Sequence, residues 1–161
     1  MGMACAMGMR SGVLSVAAAI KIWNTLVRSV LEYGAEVWGT EKWEDAEKIQ
    51  RKMGRRILGI RENANNEVVY GELGWWRLST RRDLLRLRYW AKILTMKESR
   101  LTKIVYEWER KNNRPRTWCR YTEALLSDLG LSRFWTAQVI QYSSAEWGKI
   151  VGDKLHAREQ E

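Results

Sequence analysis

The chain has 161 residues, of which 45% are hydrophobic and 29% charged, enough for one domain with a small helical appendage and too apolar for wholesale disorder. Two cysteines and one histidine cannot supply a four-ligand zinc site or a disulfide framework, so neither a metal nor a cofactor is expected. The 28 basic against 19 acidic residues leave +9, which favours an acidic partner such as nucleic acid.

Residues 1–12, rich in Met, Gly and Ala, read as a disordered leader. From Ser15 to Glu36 the apolar positions Val16, Ala19, Ile20, Trp23, Leu26, Val27, Val30 and Leu31 recur at three and four, a helix that Gly39 is placed to end. Thr40 can cap the next helix, where Trp43, Ala46, Ile49, Met53 and Ile57 share one face before Gly59 stops it. Glu44 with Lys48 and Glu47 with Arg51 form supportive pairs on the opposite face. Residues 61–66 are a loop, and Asn66 caps a short helix through Leu73 that Gly74 ends.

Ser79 or Thr80 opens a strong helix reaching about Met96. Successive rotations of about 100° put Leu84, Leu87, Ala91 and Leu94 on one side and Leu85, Tyr89, Ile93 and Met96 on another. Arg81, Arg88 and Lys92 occupy the strip between, which predicts a central helix with these three at the floor of a groove. Ser99–Arg110 is helical, 112–116 around Pro115 is a linker, and Thr117–Leu129, Phe134–Gln141 and Ser144–Arg158 complete a helical tail. No stretch shows the strict alternation of a strand, and a single proline suits long helices. The expected fold is all-α, an irregular multi-helix bundle with no sheet, divided into 13–98 and a C-terminal extension, 99–161.

Charge is concentrated. Residues 75–120 hold 14 basic and 4 acidic side chains, whereas 1–74 are close to neutral and 121–161 are slightly acidic. The same segment carries Trp75, Trp76, Tyr89, Trp90, Tyr106, Trp108 and Trp118. Basic residues interleaved with rings suit a nucleic-acid strand, through phosphate neutralisation plus stacking. Arg77, Arg81, Arg82, Arg88, Lys92, Arg114 and Arg116 are the candidate phosphate contacts, and Trp75 and Trp76 the candidate stacking rings. Trp90 shares a flank with Leu87 and Leu94 and reads as core. The alternative is a solvated charged face over a core of rings, which would suit a protein-interaction module or a relic without function.

Catalytic signatures are absent. No Asp-Asp pair occurs, and Glu44, Asp45 and Glu47 read as a solvated face without the convergence that two-metal phosphoryl transfer needs. His156 reads as a surface residue and Cys119, despite Arg116 and Arg120 nearby, as an inert thiol. The most apolar stretch, Val13–Ile20, is too short for a span of about 20 residues, and no charge precedes it in Met1–Met9 as a secretory signal requires. No membrane partner is expected, and free thiols point to the nucleus or cytoplasm.

Three segments carry a resemblance. Val30-Leu31-Glu32-Tyr33-Gly34-Ala35-Glu36-Val37-Trp38-Gly39 resembles the L-x-Y-G-x-E-x-W signature that follows the palm in reverse transcriptases of non-LTR (LINE-like) retrotransposons. Ile49-Gln50-Arg51-Lys52 with Arg55-Arg56-Ile57-Leu58-Gly59 resembles that family's I-Q-R-K-x-L-R-x-I-L-G helix, and Glu72-Leu73-Gly74-Trp75-Trp76-Arg77-Leu78 with Arg81-Arg82 its E-L-G-x-x-P-L-x-x-R turn. Order and spacing match over roughly residues 13–95. The sequence departs at Gly54, where the family carries a larger residue, and at Arg77, where it often has Pro. The resemblance implies the thumb and post-thumb region of an RNA-directed DNA polymerase, a non-catalytic piece that grips template-primer RNA or DNA through its backbone beside the palm and fingers of a parent enzyme. The palm's Ala-Asp-Asp box is absent from this sequence.

Overall fold

The computed structural model describes residues 14–41, 43–112 and 114–160, of which 73% are helical and none forms a strand. The expected disordered leader, 1–12, lies outside the described residues. The molecule is all-α. It divides into two compact units, 1–33 with 42–79 and 34–41 with 80–161.

The first unit opens with α1, Val16–Ile22, which Ser15 caps by accepting a hydrogen bond from the Ala18 amide. A π-helical turn, Trp23–Val27, leads into α2, Arg28–Leu31. The single helix expected over 15–36 is thus interrupted. The Thr25 and Ser29 hydroxyls donate back to the carbonyls of Lys21 and Thr25, at 2.8 and 2.6 Å, and loosen the regular ladder. Gly34, at φ +66°, then turns the chain before α3, Ala35–Trp38, which belongs to the second unit.

Helix α4, Glu44–Leu58, starts after Trp43 rather than Thr40 and stops at Gly59 in the left-handed region. Helix α5, Asn66–Leu73, is capped by Asn65, whose side chain accepts from the Glu67 amide, and ends at Gly74. The core of this unit joins Ala19, Trp23, Met53, Ile57, Val69, Tyr70, Leu73 and Trp75. Trp43 and Ile49, expected on the buried face of α4, are exposed, and Gln50 and Gly54 take their place inside.

Gly54 explains one departure from the resembled family. A Cβ at this position would lie 2.3 Å from Val69 Cγ1 and 3.0 Å from Leu73 Cδ1, so α4 and α5 meet where only glycine fits. Gly54→Val should therefore cost about 1–3 kcal/mol by overpacking. A fall in urea midpoint relative to the parent checks this, and an unchanged midpoint would refute the close approach.

Glu47 corrects the reading of a solvated acidic face. It is buried, its Oε1 accepts from the Ser79 amide at 2.8 Å, and its Oε2 accepts from the Tyr70 hydroxyl at 3.3 Å. It therefore satisfies an orphan amide in the first turn of α6, Leu78–Leu94. The expected surface pairs are also rearranged, with Arg51 bound to Glu44 and Lys48 to Asp45.

Within the second unit, residues 80–94 of α6 pack with α7, Leu101–Asn112; α8, Trp118–Asp128; α9, Ser132–Ala137; and α10, Ser144–Gln160. Thr117 caps α8, and Ser143 and Glu146 form a reciprocal capping box on α10. Helix α9 ends early because Gln138 adopts φ +52°. Leu87, Trp90 and Ile93 of α6 share one core with Tyr106, Leu126, Trp147, Val151 and Leu155. That continuity places residues 80–94 of α6 in one compact unit with the C-terminal helices.

Tyr106 and Cys119 sit in this core, and burial pushes the phenol and the thiol each up to about 12 from ordinary values of 10.0 and 9.0. Glu109, whose carboxylate accepts from the Cys119 amide at 3.0 Å, adds to the effect on the thiol. Both groups are neutral when protonated, and the folded chain holds those protons more tightly than the unfolded one. Their contribution is intact below pH 9 and is lost as pH rises towards about 12. The urea midpoint should fall steadily across that window. Equal midpoints below and above the window would contradict this burial.

Candidate nucleic-acid interface

The basic segment does not present its charge uniformly. Arg82 is buried at 2% exposure, with its guanidinium over the Trp38 ring at 5.8 Å and its Nη1 donating to the Glu41 carbonyl at 3.5 Å. Arg86, also buried, donates to the Gly39 carbonyl at 2.7 Å and pairs with Asp83 at 3.3 Å. Trp118 Nε1 donates to the Glu36 carbonyl at 2.8 Å. These three side chains hold residues 34–41 within the second unit, and Arg82 leaves the set of phosphate candidates for that structural role. Lys103 is likewise buried and donates to the Leu94 carbonyl at 3.4 Å.

Trp75 is corrected in the same way. It is 8% exposed and stacks on Trp23 at 5.3 Å with an interplanar angle of 23°. Neither indole N–H has a hydrogen-bond partner among the described residues, so ring overlap and burial hold the pair. Trp76 is half-buried, and its carbonyl accepts from Gln50 Nε2 at 3.0 Å. Arg77 is exposed, pairs with Glu67 at 2.9 Å and lies over the Tyr70 ring. These three residues belong to the first unit.

Arg88 and Lys92 are different. Both line a groove of about 410 Å³ within the second unit, together with Tyr89, Thr95 and the apolar Leu85 and Ala91 of α6. Glu36, Ile140, Tyr142, Ser144 and Trp147 complete its lining. Arg81, expected in the same strip, is half-buried and does not line it. Arg88 and Lys92 stand one turn apart, are exposed, and make no side-chain hydrogen bond or ion pair with another described residue. Like charges at i,i+4 repel, so an anion between them is favoured.

Gly148 of α10 seats the Arg88 head group. A Cβ there would lie 2.7 Å from Arg88 Nε and 2.8 Å from Nη2. Gly148, Tyr142 and Glu36 lie 50 or more residues from Arg88 in sequence, beyond the reach of any local pattern. The one local signal was a glycine inside a strong helix, which marks a close approach.

Arg114 and Arg116 are exposed in the connector after α7, and Arg114 lies over the Trp108 ring at 5.4 Å. Trp108 itself is 54% exposed. Trp108 is thus an accessible ring beside an exposed cation, which the sequence placed among seven aromatics without distinguishing it.

No three acidic, histidine or cysteine side chains come together in a metal-holding group among the described residues. No helix among them is long and apolar enough to cross a membrane. No family model, curated protein or solved structure matches the chain.

Proposed function

We propose that the chain binds the backbone of RNA or DNA, without regard to sequence, through the basic helical surface of its second unit, and carries out no catalysis itself. The observation that carries this reading is the pair Arg88 and Lys92, uncompensated and side by side in a groove. Arg114, over the exposed Trp108 ring, extends the same chemistry to a second place, and the exposed Arg116 follows two residues later in sequence. Phosphate contacts of this kind position a strand and carry no base information. The three ordered motifs extend the proposal to the family: a thumb-like part of a non-LTR retrotransposon RNA-directed DNA polymerase, partnered by palm and fingers.

Fluorescence anisotropy with labelled RNA and DNA strands tests this. Affinities for unrelated sequences should agree, and log affinity should fall linearly with log salt, losing roughly 10-fold or more between 50 and 200 mM. Binding that is absent, or indifferent to salt, refutes the reading.

One observation favours a second reading, a protein-interaction module. Leu101, Ile104, Val105 and Trp108, at i, i+3, i+4 and i+7 of α7, are 75%, 51%, 50% and 54% exposed. Such a stripe is an unusual expense of apolar surface. Contact driven by it would survive high salt, which separates it from phosphate binding.

A further inference from the structure

We infer that the groove on α6 seats a single unpaired nucleotide, its phosphate on Arg88 and Lys92 and its base against the aromatic and apolar wall. The inference rests on the nucleic-acid reading above and narrows it to one strand and one subsite.

The chemistry of the lining selects the ligand. Two cations that form no ion pair, against the single carboxylate of Glu36, leave a net positive lining that calls for an anion. The Tyr89, Tyr142 and Ser144 hydroxyls form no hydrogen bond with other described residues, so they remain as donors. Glu36 contributes one carboxylate, which repels a phosphate and accepts from a sugar hydroxyl or an exocyclic amine. The ligand is thereby oriented, with its anionic end at the cations and its neutral donors towards Glu36.

A bare phosphate would leave most of this groove unused. Its volume of about 410 Å³ falls in the range of small-molecule pockets, and Ile140 and Trp147 give it an apolar wall. Two lining rings are held in place: Tyr89 edge-on to Trp118 at 6.2 Å, and Tyr142 edge-on to Phe134 at 6.0 Å. Held rings stack on a base with little loss of freedom. A duplex cannot use them, because its bases are already paired and stacked. The combination of cations, rings and one acceptor therefore suits a nucleotide whose base is free.

Competition on the intact chain tests the inference, with AMP, adenosine and inorganic phosphate as probes against a labelled single strand. AMP should displace the strand, with adenosine and phosphate each weaker by about tenfold or more. The single strand should bind about tenfold tighter than the same strand in a duplex. Gly148→Ala keeps Arg88 but pushes its head group from its seat, and should weaken AMP binding without lowering the melting temperature. Tyr142→Leu, at an exposed position, removes the ring and should do the same if the glycine variant fails to fold.

Strand binding that depends on Arg88 and Lys92, yet is equal for single strand and duplex and unaffected by AMP, overturns this inference and leaves the backbone reading standing. AMP binding without strand binding supports the nucleotide seat and overturns the backbone reading. Absence of both overturns both.

Discussion

Replacing Trp90 by alanine is expected to destabilise the second unit by about 3–5 kcal/mol, a large part of the roughly 5–15 kcal/mol that holds a domain folded. Trp90 is fully buried in the middle of α6, 5.8 Å from the Trp135 ring and 5.9 Å from Trp147. Its Nε1 donates to the Tyr106 hydroxyl at 3.0 Å, and that hydroxyl donates to Gln138 Oε1 at 2.6 Å. Truncation therefore opens a cavity between three helices and removes one donor from a buried chain of hydrogen bonds. The left-handed backbone at Gln138 loses part of its support as well. Trp90→Phe fills most of the space and drops only the N–H, so it should cost less, about 1–3 kcal/mol. Urea unfolding followed by circular dichroism checks the order. Equal, small losses for the two variants would mean that Trp90 is not the centre of this core.

That role was legible because α6 is apolar on two sides and Trp90 shares a flank with Leu87 and Leu94. Gly59 and Gly74 were legible as helix stops for a similar reason, since a left-handed residue ends the helical ladder wherever tertiary packing puts it. Polar residues were harder. Glu47 and Arg82 look like surface charges in any local window, yet each is inside because a distant backbone group needs it: the Ser79 amide for one, the Glu41 carbonyl for the other. Periodicity reports which side chains are apolar and is silent on which polar ones have partners 30 or 40 residues away. Trp75 illustrates the same limit from the other direction. Adjacent Trp75 and Trp76 could not be told apart locally, and Trp23 of α1's continuation decides between them by stacking on the first.

The groove divided in the same way. Its α6 wall, with Arg88 and Lys92 between two apolar flanks, follows from helical rotation alone. Its opposite wall does not, since Ile140, Tyr142 and Trp147 reach it only through the turn of the chain at Gln138 and the start of α10. Arg81 lies on the same predicted strip but has its own interactions, which removes it from the uncompensated set.

The second large effect concerns binding. Arg88→Gln with Lys92→Gln removes two uncompensated charges from the groove while retaining much of each stem. Both side chains are exposed and make no ion pair with a described residue, so stability should change little. Affinity for RNA and DNA should fall together, by roughly 10–100-fold at low salt, because phosphate contacts are lost and no base contact is touched. Lys48→Gln is the control, since its charge is already partnered by Asp45 on the first unit. Arg82→Gln should behave oppositely to the groove variant, lowering stability through the buried guanidinium with a smaller effect on binding.

The most direct measurement is the slope of log affinity against log salt for the parent and for the Arg88→Gln, Lys92→Gln variant, at matched temperature and with the same single strand. On a single strand each phosphate contact contributes about 0.7 to that slope, so the variant should be flatter by about 1.4. Parallel lines, whatever their vertical separation, would show that these two residues do not meet phosphates and would contradict the proposed function.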